Sequence, residues 1–149
     1  MRVLCVPAIA AIAMMLAAGC ASEEPAGATN VDETAHMVAQ AKLTAHYIAA
    51  ALEAVKSADE INATLMSIAD TSMIAEFWVS DETGRVVFTT DPNAGTQAAP
   101  FADLLMGNKQ VVTQGIQPRE ADGKLFQYVG AAGVNQPRIV QVGIAGPAE

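Results

Sequence analysis

A change of hydrophobic period near residue 74 constrains this chain more than any other feature. Between Val38 and Ile68 the apolar residues fall at spacings of three and four, the repeat of helices with one buried stripe. From Ile74 onward they alternate or form short runs rich in Val, Ile, Phe, Tyr and Thr, the pattern of strands. Helices first and strands afterwards predict an α+β domain with an antiparallel sheet.

The helical half divides in two. Asn30, with Glu33 three positions on, is placed to cap a helix of about 25 residues whose stripe runs through Val38, Ala41, Ala45, Ile48, Leu52 and Val55. Ser57 and Glu60 repeat the capping pattern before Ile61, Leu65 and Ile68, so a shorter helix follows a bend and stops at Asp70-Thr71-Ser72. In the strand half, residues 77–80 and 85–90 flank Asp81-Glu82-Thr83-Gly84 as a hairpin. With those four residues as the loop, Ser80 faces Arg85 and Trp78 faces Val87. Phe77, Val79, Val86 and Phe88 then share one face, and Glu76, Trp78, Ser80, Arg85, Val87 and Thr89 the other. Residues 91–99 read as a loop, and Pro100 to Gly107 as a short helix closed by glycine. A second hairpin, 110–119 with 124–131, turns at Glu120-Ala121-Asp122-Gly123, and Arg138 to Ile144 supplies the last strand.

The N-terminus carries an export signal: Arg2, then an apolar run from Val3 to Leu16, then small residues before Cys20. The run falls short of the roughly 20 residues that a spanning helix needs. Leu16-Ala17-Ala18-Gly19-Cys20 resembles the lipobox of bacterial lipoproteins, departing from it at Ala17, where a branched aliphatic residue is preferred. The resemblance implies removal of residues 1–19, acylation of Cys20 and attachment to a membrane of the cell envelope, facing the periplasm or exterior. Ala21 and Ser22 lack the aspartate of an inner-membrane retention signal, which favours the outer membrane. The alternative is a secretory signal cleaved elsewhere. Residues 20–30 then form a flexible tether, 31–145 the domain and 146–149 a tail.

Composition narrows the partners. Cys5 leaves with the signal and Cys20 is taken by lipid, so disulfides, a CxxC redox centre and a thiolate zinc site are excluded for the domain. Without Arg2, 7 basic residues face 16 acidic ones, and 7 − 16 gives a formal charge of −9. Nucleic acid is therefore not an expected partner, and membrane attachment falls to the anchor.

The phrases Phe77-Trp78-Val79-Ser80-Asp81-Glu82, Gly84, Val86-Val87-Phe88-Thr89-Thr90, Arg119, Asp122-Gly123-Lys124, Phe126, Tyr128-Val129 and Arg138 to Gly143 resemble extracytoplasmic Cache domains, which are PAS-like sensor modules. The resemblance spans about residues 31–145. It implies a long N-terminal helix packed on one face of a five-stranded antiparallel sheet, with the other face and its loops cupping a small molecule. Such domains usually adjoin transmembrane helices and signalling domains. The sequence ends at Glu149, so the expectation is a sensor that works through a partner receptor or histidine kinase.

The second hairpin also nominates a site on its own terms. A loop at 120–123 sets Arg119 opposite Lys124, Gln117 opposite Phe126 and Gly115 opposite Tyr128, all on one sheet face. A guanidinium able to grip a carboxylate, beside two aromatic rings, has the mixture of a small-ligand site. Trp78, on the more polar face of the first hairpin, adds a stacking wall. The expected ligand-binding residues are Trp78, Gln117, Arg119, Phe126 and Tyr128, and the expected ligand bears a carboxylate. The competing reading places Phe126, Tyr128 and Trp78 in the core and Arg119 in solvent.

No catalytic set, metal site or cofactor is expected. His36 and His46 lie about 80° apart around a helix, so they cannot form a ligand pair on adjacent turns. Neither a Gly-x-Ser-x-Gly elbow nor a phosphate-cradling loop occurs. The rival to a ligand-binding sensor is an interaction lipoprotein that docks a partner or forms a homodimer through its long helix.

Overall fold

The computed structural model describes residues 28–92, 99–119 and 122–147. The expected signal segment and Cys20 lie outside the described residues. The domain is α+β: two helices, α1 (Ala28–Glu53) and α2 (Ala58–Thr71), precede an antiparallel sheet built from β1 (Glu76–Ser80), β2 (Val86–Thr89), β3 (Val111–Thr113), β4 (Gln117–Pro118), β5 (Leu125–Ala132) and β6 (Ile139–Ala145). The strands lie in the order β2-β1-β6-β5-β3, with β4 also paired to β5. The expected five strands become six because residues 111–118 are interrupted, leaving β3 and β4 to share one edge.

The last strand, β6, lies in the middle of the sheet between β1 and β5, so its residues are buried on both faces until Ala145. Towards α1 and α2 point Phe77, Val79, Val129, Val140, Val142 and Ile144. They form one apolar cluster with Met37, Ala41, Ala45, Ile48 and Ala51 of α1 and with Ile61 and Leu65 of α2. A buried aliphatic or aromatic side chain of this kind contributes about 1.5–3 kcal/mol. Polar ties fix the helices on the sheet. Gln127 Nε2 donates to Thr34 Oγ1 at 2.8 Å, and the Thr89 N–H donates to Asn62 Oδ1 at 3.0 Å.

α2 begins where Ser57 and Glu60 place it, with each side chain accepting the other's backbone N–H. α1 departs from expectation at both ends. It begins at Ala28, so Asn30 lies within its first turn and not before it. At the other end the helix stops at Glu53, and Val55 adopts a φ of 55° with 87% of its surface exposed. The Lys56 N–H donates to the Ala51 carbonyl at 3.0 Å, the closing bond of a helix that reverses in a left-handed residue. The short link to Ser57 demands that reversal, and Val55 is thereby taken out of the apolar stripe.

Both hairpins depart from simple pairing by one residue. In the first, the Asp81 N–H donates to the Arg85 carbonyl, so the loop is three residues, Glu82 to Gly84, and Gly84 takes a φ of 86°. A bulge then leaves Val87 unpaired and sets Ser80 opposite Val86 and Trp78 opposite Thr89, in place of the expected Arg85 and Val87. In the second, Gln117 pairs with Phe126 and the Arg119 N–H donates to the Lys124 carbonyl, as a four-residue loop requires. Between β3 and β4 the register slips. The Gln114 N–H, not Gly115, meets the Tyr128 carbonyl at 2.8 Å, and Gly115 falls in the unpaired link.

Candidate functional site

The face of the sheet turned away from α1 and α2 is covered differently along its length. At one end a single 3-10 turn, Ala99–Phe101, leads into the one-turn helix α3 (Ala102–Leu105). Phe101 and Leu104 press onto Gly130 and Ile139. A methyl group on Gly130 would lie 2.4 Å from the Phe101 ring, so this close approach requires glycine.

The other end holds the aromatic and ionic cluster. Phe126 and Tyr128, two apart on β5, stack with centroids 5.7 Å apart and planes 15° apart. The Tyr128 ring lies over Gly143, where a Cβ would come within 2.6 Å of it, and tilts against Trp78 at 6.3 Å between centroids. Arg119 lies over Phe126, its guanidinium carbon 4.4 Å from the ring centre. Trp78, Arg119, Phe126 and Tyr128 are thus brought together, whereas Gln117 is exposed at the rim and bonds Gln114 at 3.2 Å.

Sequence reading missed the partners that occupy Arg119. Its guanidinium pairs with the buried carboxylate of Glu76 and with Asp122, to which Nε donates at 2.9 Å. Tyr128 Oη donates to the second oxygen of Glu76 at 3.2 Å. Asp122, a turn residue, is held well below the usual carboxylate range by the Arg119 hydrogen bond, helped by the Lys124 N–H. The same bond raises Arg119, and burial raises the Tyr128 hydroxyl. With Lys124 beside Asp122 at 3.5 Å, the group of two acids and two bases is neutral. Arg119 therefore meets two protein carboxylates before any ligand. The signal for Glu76 was its place two residues before Trp78 on the same face; its approach to Arg119 depends on the distant pairing of β1, β6 and β5.

Beside these clusters Trp78 and Gln141 stand directly opposite each other on β1 and β6. Gln141 is 3% exposed, and its Oε1 is buried without a hydrogen-bond partner; Trp78 Nε1 is likewise buried and unpartnered. An unmade hydrogen bond of a buried polar atom costs about 1–3 kcal/mol, so two of them side by side are a departure that calls for a physical reason.

Elsewhere, His36 and His46 are exposed on α1, and no group of three or more metal-ligating side chains occurs among the described residues. No described helix is long and apolar enough to cross a membrane. No family profile matches the chain, and no characterised protein is significantly similar to it.

Proposed function

We propose that this protein is a membrane-tethered, extracytoplasmic small-molecule sensor of the Cache-like, PAS-like kind. It would be held by lipid on Cys20 and read by a partner receptor or kinase. The observation that carries the reading is the adjacent pair of buried, unpartnered polar atoms, Trp78 Nε1 and Gln141 Oε1, in the middle of the sheet face that the long helices leave free. An apolar and aromatic wall with a few polar groups lacking protein partners is the composition of a ligand site. The arrangement of α1 over one face, with rings, a short helix and a turn around the other, agrees with what the resemblance implies.

The rival, docking or dimerising through α1, would use a stripe that is already committed to the sheet through Met37, Ala41, Ala45, Ile48 and Ala51. Among the α1 residues whose burial is described, Leu43 is a large apolar side chain exposed on the outer side.

A thermal-shift screen of the purified full-length protein in detergent tests the sensor reading. A specific stabiliser should raise the melting temperature, by about 2.7 kcal/mol of stability at a hundredfold excess over Kd, and lose its effect in Trp78→Ala. No stabiliser from a broad panel, together with concentration-dependent dimerisation, would favour the interaction protein. Incorporation of labelled palmitate that disappears in Cys20→Ala tests the anchor independently.

A further inference from the structure

We infer that the ligand of this face is a neutral, amide-type molecule, such as a lactam, cyclic imide or nucleobase edge, with its carbonyl oxygen on the Trp78 indole N–H and its N–H on the Gln141 side-chain oxygen. The inference rests on the reading of this face as a ligand site and adds the chemical class.

Three observations lead to it. First, an indole N–H only donates, so its missing partner is an acceptor, while the orphaned atom of Gln141 is a carbonyl oxygen, whose missing partner is a donor. Second, the two residues are directly opposite in antiparallel strands and point to the same face, which puts their Cβ atoms about 4.5–5.5 Å apart. A cis-amide edge carries one donor and one acceptor side by side and can serve both. Third, the charges shown to meet on this face are already matched: Glu76 and Asp122 with Arg119, and Lys124 with Asp122. A carboxylate would arrive next to buried Glu76, where the described residues pair each cation shown with an acid. An ammonium would compete with Arg119 for Glu76. A neutral ligand meets neither cost, and the Tyr128 and Phe126 rings supply its apolar wall.

The chain contains a single tryptophan, so Trp78 reports without labelling by fluorescence and, after uniform nitrogen-15 enrichment, through one indole N–H resonance. The full-length protein in detergent is titrated with 2-pyrrolidinone and uracil and, for comparison, with propionate and pyrrolidine. Saturable binding of the amides is expected, with a downfield move of the indole resonance and a change in Trp78 emission. Gln141→Leu should bind them about tenfold more weakly, the effect of one lost hydrogen bond. Should Gln141→Leu fail to fold, Trp78→Phe, which keeps a ring and deletes the N–H, is read by thermal shift and should show the same loss.

Preference for propionate, abolished in Arg119→Ala, would overturn the amide class while leaving the sensor reading intact. Silence from all four probes and from the wider screen would overturn both. An indole resonance of the ligand-free protein that moves in Gln141→Leu, with no response of the parent to amides, would mean that the two side chains bond each other, and it too would overturn the proposal.

Discussion

The two faces of one sheet are built to different standards. Towards α1 and α2, Phe77, Val79, Val129, Val140 and Val142 are fully buried in an apolar cluster. Beside that cluster the Tyr47 hydroxyl is the orphaned polar atom among the described residues. On the other face the same three central strands present Glu76, Trp78, Ser80, Gln141 and Tyr128, two glycines under aromatic rings, and a pair of orphaned polar atoms on neighbouring strands. Since alternate residues of each strand serve opposite faces, the filled core and the face of the proposed site are separated by a single position along the chain. The difference teaches that the first face sustains a fold in which the second can leave hydrogen bonds unmade.

Replacing Phe77 by Ala should have the largest effect, a loss of about 3–5 kcal/mol in urea unfolding, because it opens a cavity in the filled face. A loss under 1 kcal/mol would mean that this face is not the stabilising one. Gly143→Ala tests the close contact on the other side. A methyl group driven into the Tyr128 ring should cost about 1–3 kcal/mol and shift Trp78 emission, whereas an unchanged spectrum would show that the rings do not pack as described. Gln141→Leu, one residue from Val142, should change stability by less than about 1 kcal/mol or raise it, since it removes an orphaned acceptor from an apolar setting. A variant that becomes more stable while losing ligand would express the contrast directly.

The smallest effect belongs to the ion group. Asp122 is depressed in the folded state, so its stabilising contribution is present above its ordinary value of 3.8 and fades as pH falls below that. Melting temperature should therefore decline between pH 4 and pH 2 less steeply in Asp122→Asn than in the parent. Equal slopes would show that Arg119 gains nothing from the pair. The exposure of Asp122 makes the effect modest and sensitive to salt.

Much of the fold was legible because its signals are local. The Ser57–Glu60 capping box placed α2, the period change placed the strands, and the glycines at 84, 107 and 123 marked reversals that require positive φ. The candidate site was partly legible for the same reason. Trp78 and the β4–β5 residues Arg119, Phe126 and Tyr128 were nominated by alternation and by one hairpin loop. What escaped is what depends on distant pairing or on one-residue slips. The bulge at Val87 moved Trp78 from Val87 to Thr89, the break at 114–116 moved Gly115 away from Tyr128, and the left-handed turn at Val55 ended the stripe early. Each slip answers to a turn geometry whose energy differs little from that of the regular alternative.

By itself the sequence determined the class of domain, the order of elements, and an acidic composition whose two cysteines both precede residue 21. Those properties follow from period, capping and composition, which act over a few residues. Only the tertiary structure decided that β6 enters the centre of the sheet, since the energies that select one strand order act between segments more than 50 residues apart. That insertion places Gln141 opposite Trp78. The β1–β6 and β6–β5 pairings it completes bring Glu76 to Tyr128 and to Arg119. An arginine that read as a free anchor is thereby neutralised, and two neutral side chains become the unpartnered groups of the site.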